Sequence, residues 1–344
     1  MDPPLGGQNS IFTAAANYAM MYKSTADGTY SGTAAVGTRL FSAYDSGKQD
    51  CRRQPCFFLH AGKEEGMDHL RRRILYHYTD FQALDGILRH AQLRVNNVLR
   101  MNDSAEMRHF MDRLCAAVSH RLEGEGRPDQ AERVRGLFRE ELKKEYSAFA
   151  ACFSFHRDDA AQWERYGNRG RGVCIAFRRD CLERVAKGAL SLQLVFYRDD
   201  MAGHPMVETF CALARGGGPL SPDDPGVKEA MREAWACSVS YKHPSFSSEY
   251  EMRLVVSPFE KAEFDVRPCY HITKERIKKY YPLDLRAMCR EIGVDLEDLV
   301  EEIIIGPDST QSAAILQDYL RDNGLPALAE RVSLSECPLR GLAT

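Results

Sequence analysis

From residue 74 onward the chain alternates between two hydrophobic periods. Ile74-Leu75-Tyr76-His77-Tyr78-Thr79 reads as a strand, and Phe81, Leu84, Ile87 and Leu88 then follow at helical spacing. A short strand-like segment, 93–95, leads to Asn102-Asp103-Ser104-Ala105-Glu106. Beyond it, Met107, Phe110, Met111, Leu114 and Val118 share one face of a long helix. Pro128 suits the first turn of a second helix, which turns Val134, Leu137, Phe138 and Leu142 inward. Strands are predicted near 149–155, 172–178, 190–197, 251–257 and 301–305. Helices are predicted around Trp163 and Tyr166, at 226–237 and at 310–322, the last stopping at Asn323-Gly324. Gly216-Gly217-Gly218-Pro219 breaks the chain before the 226–237 helix. No repeat period is visible, and the strands and helices do not alternate regularly. That order predicts an α+β fold, not a doubly wound parallel sheet.

Before residue 67 the pattern fades. Residues 1–66 are rich in Gly, Ala, Ser and Thr, as in Gly28-Thr-Tyr-Ser-Gly-Thr-Ala-Ala-Val-Gly-Thr38, and carry few apolar runs. They read as a flexible or secretion-type extension, or as a mis-assigned start with translation beginning at Met67, ahead of a domain over 67–344. Met1-Asp-Pro-Pro-Leu-Gly-Gly has no basic stretch followed by an apolar one, so no secretory signal peptide is expected. No run of about 18 apolar residues is present, so no membrane span is expected either.

Composition changes this picture little. The chain of 344 residues is 44% hydrophobic and 28% charged, as globular proteins are. With 46 basic and 49 acidic side chains the formal net charge is −3, so no global field draws it to nucleic acid or an anionic membrane. The 11 cysteines are scattered, several within apolar runs, as reduced core cysteines are. Cys51 and Cys56 lack a second pair at ligand spacing, so no metal is expected. A cytoplasmic setting follows, with export into a host cell by a specialised secretion system as the alternative.

Four pieces are candidates for chemistry: Tyr76-His77-Tyr78-Thr79, Cys152-Phe153-Ser154, Trp163-Glu164-Arg165-Tyr166 and Glu249-Tyr250-Glu251-Met252-Arg253. In this order, with Asn102-Asp103 between the first two, they resemble a bacterial domain-of-unknown-function family, number 2971. That family looks like a divergent ADP-ribosyltransferase. The resemblance implies a split, mostly antiparallel sheet with flanking helices, clamping NAD as a substrate. It implies His77 at the first signature position, Ser154 (or Tyr166) at the second and Glu251 at the third, with Glu249 completing an E-x-E pair. The catalytic set is then Glu251, Glu249 and Ser154. His77, Tyr78, Thr79, Asn102, Tyr166 and Arg253 would hold the dinucleotide. The partners would be NAD and a protein or nucleic-acid acceptor, as for a toxin or effector. An NAD glycohydrolase, or a module on the same fold that binds a nucleotide or a partner without catalysis, are the alternatives. A toxin-like nuclease would need paired metal-binding carboxylates with a nearby Lys, which are not recognised in the sequence.

The chemistry explains these residue types. Losing nicotinamide leaves an oxocarbenium-like ribose, which a carboxylate near C1 stabilises. Strand alternation would set Glu249 and Glu251 on one face, about 6.5–7 Å apart, one holding the ribose and the other deprotonating the acceptor. Tyr78 or Tyr166 would stack on nicotinamide. Structural readings stand beside these. His77 suits a hydrogen-bonded core position, and Trp163 and Tyr166 suit a packed helix face. Asp103-Ser-Ala-Glu106 has the form of a capping box. Glu249, Glu251 and Arg253 suit a solvated strand face with an ion pair. Gly170-Arg-Gly172 precedes a strand, which excludes a dinucleotide fingerprint, and Gly306-Pro-Asp-Ser309 reads as a turn.

Overall fold

In a computed structural model the chain divides into two units, Met1–Leu70 and Arg71–Thr344. The structure describes residues 73–98, 106–144, 146–218, 220–256 and 266–339, all in the second unit. The expected extension 1–66, Asn102 and the 103–105 part of the capping box lie outside the described residues.

The described chain begins with β1 (Ile74–Thr79), α1 (Phe81–Leu88) and β2 (Gln92–Asn97). Two long helices follow, α2 (Glu106–Gly124) and α3 (Pro128–Glu141), and then β3 (Phe149–Ser154), α4 (Ala160–Arg165), β4 (Val173–Arg178) and α5 (Arg179–Val185). Next come β5 (Leu190–Leu194), β6 (Phe196–Tyr197), α6 (Pro205–Arg215), α7 (Pro225–Ser238), β7 (Tyr241–Lys242), a 3-10 turn (Pro244–Glu249) and β8 (Glu251–Val256). The last third holds β9 (Cys269–Ile272), β10 (Ile277–Asp284), α8 (Leu285–Ile292), α9 (Leu296–Leu299), β11 (Val300–Ile305), α10 (Ala313–Asp322), α11 (Pro326–Ala329) and β12 (Val332–Leu334).

Local chemistry sets the helix starts. Asp80, Asp224 and Asp284 each accept a backbone N–H of the first turn, and Pro205 and Pro225 occupy positions where no N–H is needed. The fold is α+β, as the element order predicts, and its main sheet is mostly antiparallel. Among the described residues, five helices and four strands escape the sequence reading: α5, α6, α8, α9 and α11, and β7, β9, β10 and β12. The signal for α6 was present, since Val207, Phe210, Cys211 and Ala214 are spaced as one helical face and all are buried.

The main sheet runs β12-β11-β4-β1-β3-β2-β10-β9, with β8 also on β3 and β5 on β8; only β11–β12 in it is parallel. Strand alternation sends side chains into two cores. Phe149, Ala151 and Phe153 of β3, with Met252, Leu254 and Val256 of β8, join Leu84, Leu88 and Leu285 on one face. Ala150 and Val255 point the other way, into the core built on α2, α3, α6 and α7 around Phe110, Phe138 and Trp235. Each fully buried Leu or Phe contributes about 1.5–3 kcal/mol.

The sheet is split at β3. One edge of β3 pairs with β8 along its whole length. The other edge meets β2 at Phe149 and Ala150, and β1 only at Ser154. Between these contacts no strand among the described residues lies opposite the Cys152 carbonyl. The His77 Nδ1–H fills the gap, donating to that carbonyl at 2.8 Å. The His77 ring lies against Phe153 and Phe177, with centroids at 5.6 and 6.5 Å. Burial pushes its pKa below the ordinary value, so it stays neutral and keeps one N–H for this bond.

The loop after β3 is pinned from the far end of the chain. Asp158, at φ 109°, accepts Trp163 Nε1 at 2.6 Å, the Glu336 and Cys337 N–H groups at 2.7 and 3.0 Å, and the Ser335 hydroxyl. A non-glycine residue in that region is strained and must be held by its surroundings. Here four donors hold it.

Backbones approach most closely around Gly172. A Cβ there would stand 2.1 Å from the Thr79 carbonyl oxygen, a main-chain atom that cannot swing away. Gly172→Ala is expected to destabilise the protein by about 1–3 kcal/mol. Gly86, in α1 with open space around it, behaves oppositely, and Gly86→Ala is expected to stabilise by up to about 1 kcal/mol. Urea denaturation of the two variants checks both signs.

Candidate functional site

Glu251 opens β8 directly opposite Ser154, which itself pairs with Tyr76 across the narrow join to β1. Tyr76, Ser154 and Glu251 therefore form one row across three adjacent strands. Arg253, two residues along β8, shares the face of Glu251. Lys242 arrives from β7, and Glu249 from the 3-10 turn that connects β7 to β8.

The E-x-E pair is built differently from the expected strand alternation. Glu249 ends the 3-10 turn, and Tyr250 takes a left-handed conformation (φ 42°, ψ 63°) before the strand begins. This reversal, not the two-residue strand period, returns the Glu249 side chain beside Glu251. The turn is held by its main chain. The Glu249 carbonyl accepts the Ser154 hydroxyl at 2.9 Å and Gln162 Nε2 at 3.2 Å, and the Tyr250 carbonyl accepts the Phe155 N–H at 3.0 Å. Tyr250 is 39% exposed and meets the His156 ring edge-on at 4.7 Å.

The charges are buried, so the alternative of a solvated strand face does not hold. Lys242 and Glu249 are 3% exposed, Glu251 7% and Arg253 0%. Arg253 grips Glu251 with two parallel bonds, Nε to Oε1 at 3.0 Å and Nη2 to Oε2 at 2.7 Å. Its Nη1 donates to the Val239 carbonyl at 2.8 Å. Lys242 Nζ bridges the carboxylates, 2.6 Å from Glu249 Oε2 and 3.4 Å from Glu251 Oε2. Glu249 Oε1 accepts the Tyr166 hydroxyl at 2.8 Å and Arg165 Nη1 at 3.2 Å. Three cations thus face two carboxylates, leaving a formal excess of one positive charge. Arg165, 41% exposed, is the member that reaches solvent.

Electrostatics fixes the protonation states. Burial raises the Glu251 pKa, but Arg253 first and then Lys242 outweigh it, and the group settles at about 2. Glu251 is therefore a permanent anion. Burial and the Glu249 charge hold the Tyr166 phenol well above its ordinary pKa, so it remains a donor. Tyr197 is likewise raised by burial and by Glu251, while its oxygen accepts the Glu251 N–H at 3.0 Å.

The structure brings together Ser154, Tyr166, Glu249, Glu251 and Arg253. It sets others apart. His77 sits on the opposite face of the sheet, among Phe153 and Phe177, where its ring nitrogen serves the Cys152 carbonyl. Tyr78 is buried edge-on to Trp163 at 4.8 Å. Its hydroxyl donates to the His156 carbonyl and accepts the Asp158 and Asp159 N–H groups, so its ring offers no stacking surface. Thr79 ends β1 opposite Val173. Lys242, Gln162 and Tyr197 were missed by sequence reasoning. Lys242 stands in a two-residue strand with nothing in its spacing to mark it.

Residues 162–254 match a family described as Protein of unknown function (DUF2971). The match runs from Gln162 to Leu254 and so takes in both carboxylates and all three cations. No curated protein and no solved structure gives a significant match. Among the described residues, no helix is long and apolar enough to cross a membrane, and no group of three or more His, Cys, Asp or Glu side chains could hold a metal ion.

The Glu251 pKa makes stability depend on pH with a definite sign. Because the folded value lies below the ordinary 4.5, its contribution is full above about pH 5 and is lost as pH falls toward 2. The size is on the order of 3 kcal/mol. Unfolding free energies measured between pH 7 and pH 2 are expected to fall through this window. In Glu251→Gln the same curve is expected to be flatter, from a lower starting value.

Proposed function

We propose that this protein cleaves the nicotinamide–ribose bond of NAD⁺ and transfers the ADP-ribosyl group to a macromolecular acceptor, on an ADP-ribosyltransferase-like split sheet. The observation that carries this reading is the row Tyr76–Ser154–Glu251. Residues far apart in sequence meet on three adjacent strands beside a split, and the last of them is an anion at every physiological pH. Burying four charged side chains is costly, and well-packed apolar residues would stabilise the fold as well or better. Such a cluster is better explained by chemistry than by stability.

In the proposed reaction the bond from ribose C1 to the nicotinamide nitrogen breaks, and its electron pair neutralises the pyridinium ring. The Glu251 carboxylate stabilises the cationic ribose and accepts a hydrogen bond from a ribose hydroxyl. That hydroxyl replaces Lys242, whose 3.4 Å contact with Glu251 is the longest in the cluster. The acceptor's lone pair then bonds to C1, and its proton passes to Glu249. Arg165, exposed at the margin of a site with one excess positive charge, suits the diphosphate. Ser154 holds the Glu249 peptide in place and does not touch the substrate. With water as acceptor the same steps give an NAD glycohydrolase.

A second reading has its own support. Both carboxylates are saturated by donors and nearly inaccessible, as in a non-catalytic module whose ion cluster serves architecture alone. NAD⁺ turnover, followed by release of nicotinamide, separates the two. Glu251→Gln is expected to lower kcat by about 10²–10³-fold with little change in KM. Glu249→Gln is expected to lose transfer while retaining slow hydrolysis. No nicotinamide release from the wild-type protein, in the presence of protein, RNA and DNA pools as acceptors, would leave the architectural reading standing.

A further inference from the structure

The far end of the sheet carries a feature that the proposed reaction does not use. β9 (Cys-Tyr-His-Ile) pairs with β10, and no strand among the described residues lies on its other side. The Thr273 N–H donates to the Arg276 carbonyl at 3.0 Å, which sets the hydrogen-bonding phase of the hairpin. With Ile272 opposite Ile277 and His271 opposite Lys278, Cys269 and His271 turn their main-chain groups toward β10. Tyr270 and Ile272 turn theirs outward. Two N–H donors and two carbonyl acceptors therefore stand in line along the edge.

The side chains beside them are not those of a protected edge. Proteins guard open strands with Lys, Pro or a bulge on the edge strand itself, and β9 has none of these. Tyr270, Ile272 and Ile277 lie on one face of the hairpin and are 62%, 73% and 66% exposed, the three most exposed large apolar side chains of this region. Around them stand Arg267, Lys274, Arg276, Lys278 and Lys279, with Glu275 the only acid. Residues 267–280 thus carry five positive charges and one negative, a formal +4 in a chain whose total is −3. None of the five cations forms an ion pair among the described residues. Elsewhere on the surface, ion pairs such as Arg157–Glu302 and Arg215–Glu125 are common.

We propose that the β9 edge receives an extended acidic segment of a partner protein as an added strand, whose side chains alternate between apolar and acidic. Main-chain bonds to Tyr270 and Ile272 would give affinity. Alternate apolar residues of the incoming strand would lie over Tyr270, Ile272 and Ile277. The acidic residues between them would fall on the opposite face, near His271 and Lys278. Nucleic acid would use the cations but leave the aligned donors and the isoleucines without a role. A lipid surface would bury the open main-chain groups unsatisfied. An acidic strand satisfies all three features.

The test is a fluorescence-anisotropy titration of the full chain with a labelled, acetylated peptide of about seven residues alternating Val and Glu. Parallel arms use single-stranded oligo-dT and vesicles containing phosphatidylserine. The peptide is expected to bind in the micromolar range, more weakly at high salt. Ile272→Pro removes an N–H that faces away from β10, so the hairpin keeps its own bonds while peptide affinity falls at least about tenfold. Lys278→Glu, on the face where the acidic residues would fall, keeps the proposal testable if the proline variant fails to fold, and a similar loss is expected. Several outcomes would overturn it: no peptide binding up to about 1 mM, or an affinity unchanged in these variants. Tighter binding of oligo-dT or vesicles than of peptide would do the same. So would a concentration-dependent dimer abolished by Ile272→Pro, which would make a second copy the occupant.

Discussion

Arg253 has no contact with solvent, and a guanidinium cannot shed its proton to escape that environment. Its charge has to be neutralised where it stands. Glu251 does this with a two-point grip, the Val239 carbonyl takes a further N–H, and the surroundings follow from these bonds. A carboxylate so held attracts Lys242, which brings β7 against the start of β8. Lys242 in turn binds Glu249, whose turn must fold back through the left-handed Tyr250 to reach it. Removing Glu251 would leave Arg253 buried without its carboxylate, a loss of about 3–5 kcal/mol.

The split in the sheet adds a second constraint. Among the described residues β3 alone bridges the β1-β4-β11 side and the β2-β10-β9 side, and its carbonyl at Cys152 is bound by a side chain instead of a strand. His77 thus couples the two halves without entering the charged cluster on the other face. Cys152 has its carbonyl bound to His77 and its side chain on the face of Arg253, so the two layers meet at one residue.

Where the sequence was legible, periodicity carried the information. The strand at 74–79, the helical faces of Met107 to Val118 and Val134 to Leu142, and the α+β class all follow from apolar spacing. The pairing of Glu249 with Glu251 was legible as composition but not as geometry. A period of two assumes a continuous strand, and the positive φ of Tyr250 leaves no mark on its neighbours. The face of His77 was not legible for another reason. Being next to Tyr76 in sequence puts a strand residue on the opposite side of the sheet from it, and only the register with Ser154 tells which side carries the charges. Lys242 had no local signal, because what fixes its role is a contact with residues seven and nine positions ahead, folded back upon it.

The clamp on Asp158 bears on how the molecule comes into being. The loop it holds leads directly into α4, which carries Gln162, Arg165 and Tyr166 to the charged cluster. Three of the four groups that hold Asp158 come from residues 335–337. During synthesis the ribosome has therefore already released β1, β3 and β8 before the donors that tether this loop exist. A chain halted after β8 would contain every charged residue of the cluster and still lack the fastening beneath Arg165 and Tyr166. The fastening of the cluster waits on residues 335–337, so it is set later in synthesis than the appearance of the cluster's own residues.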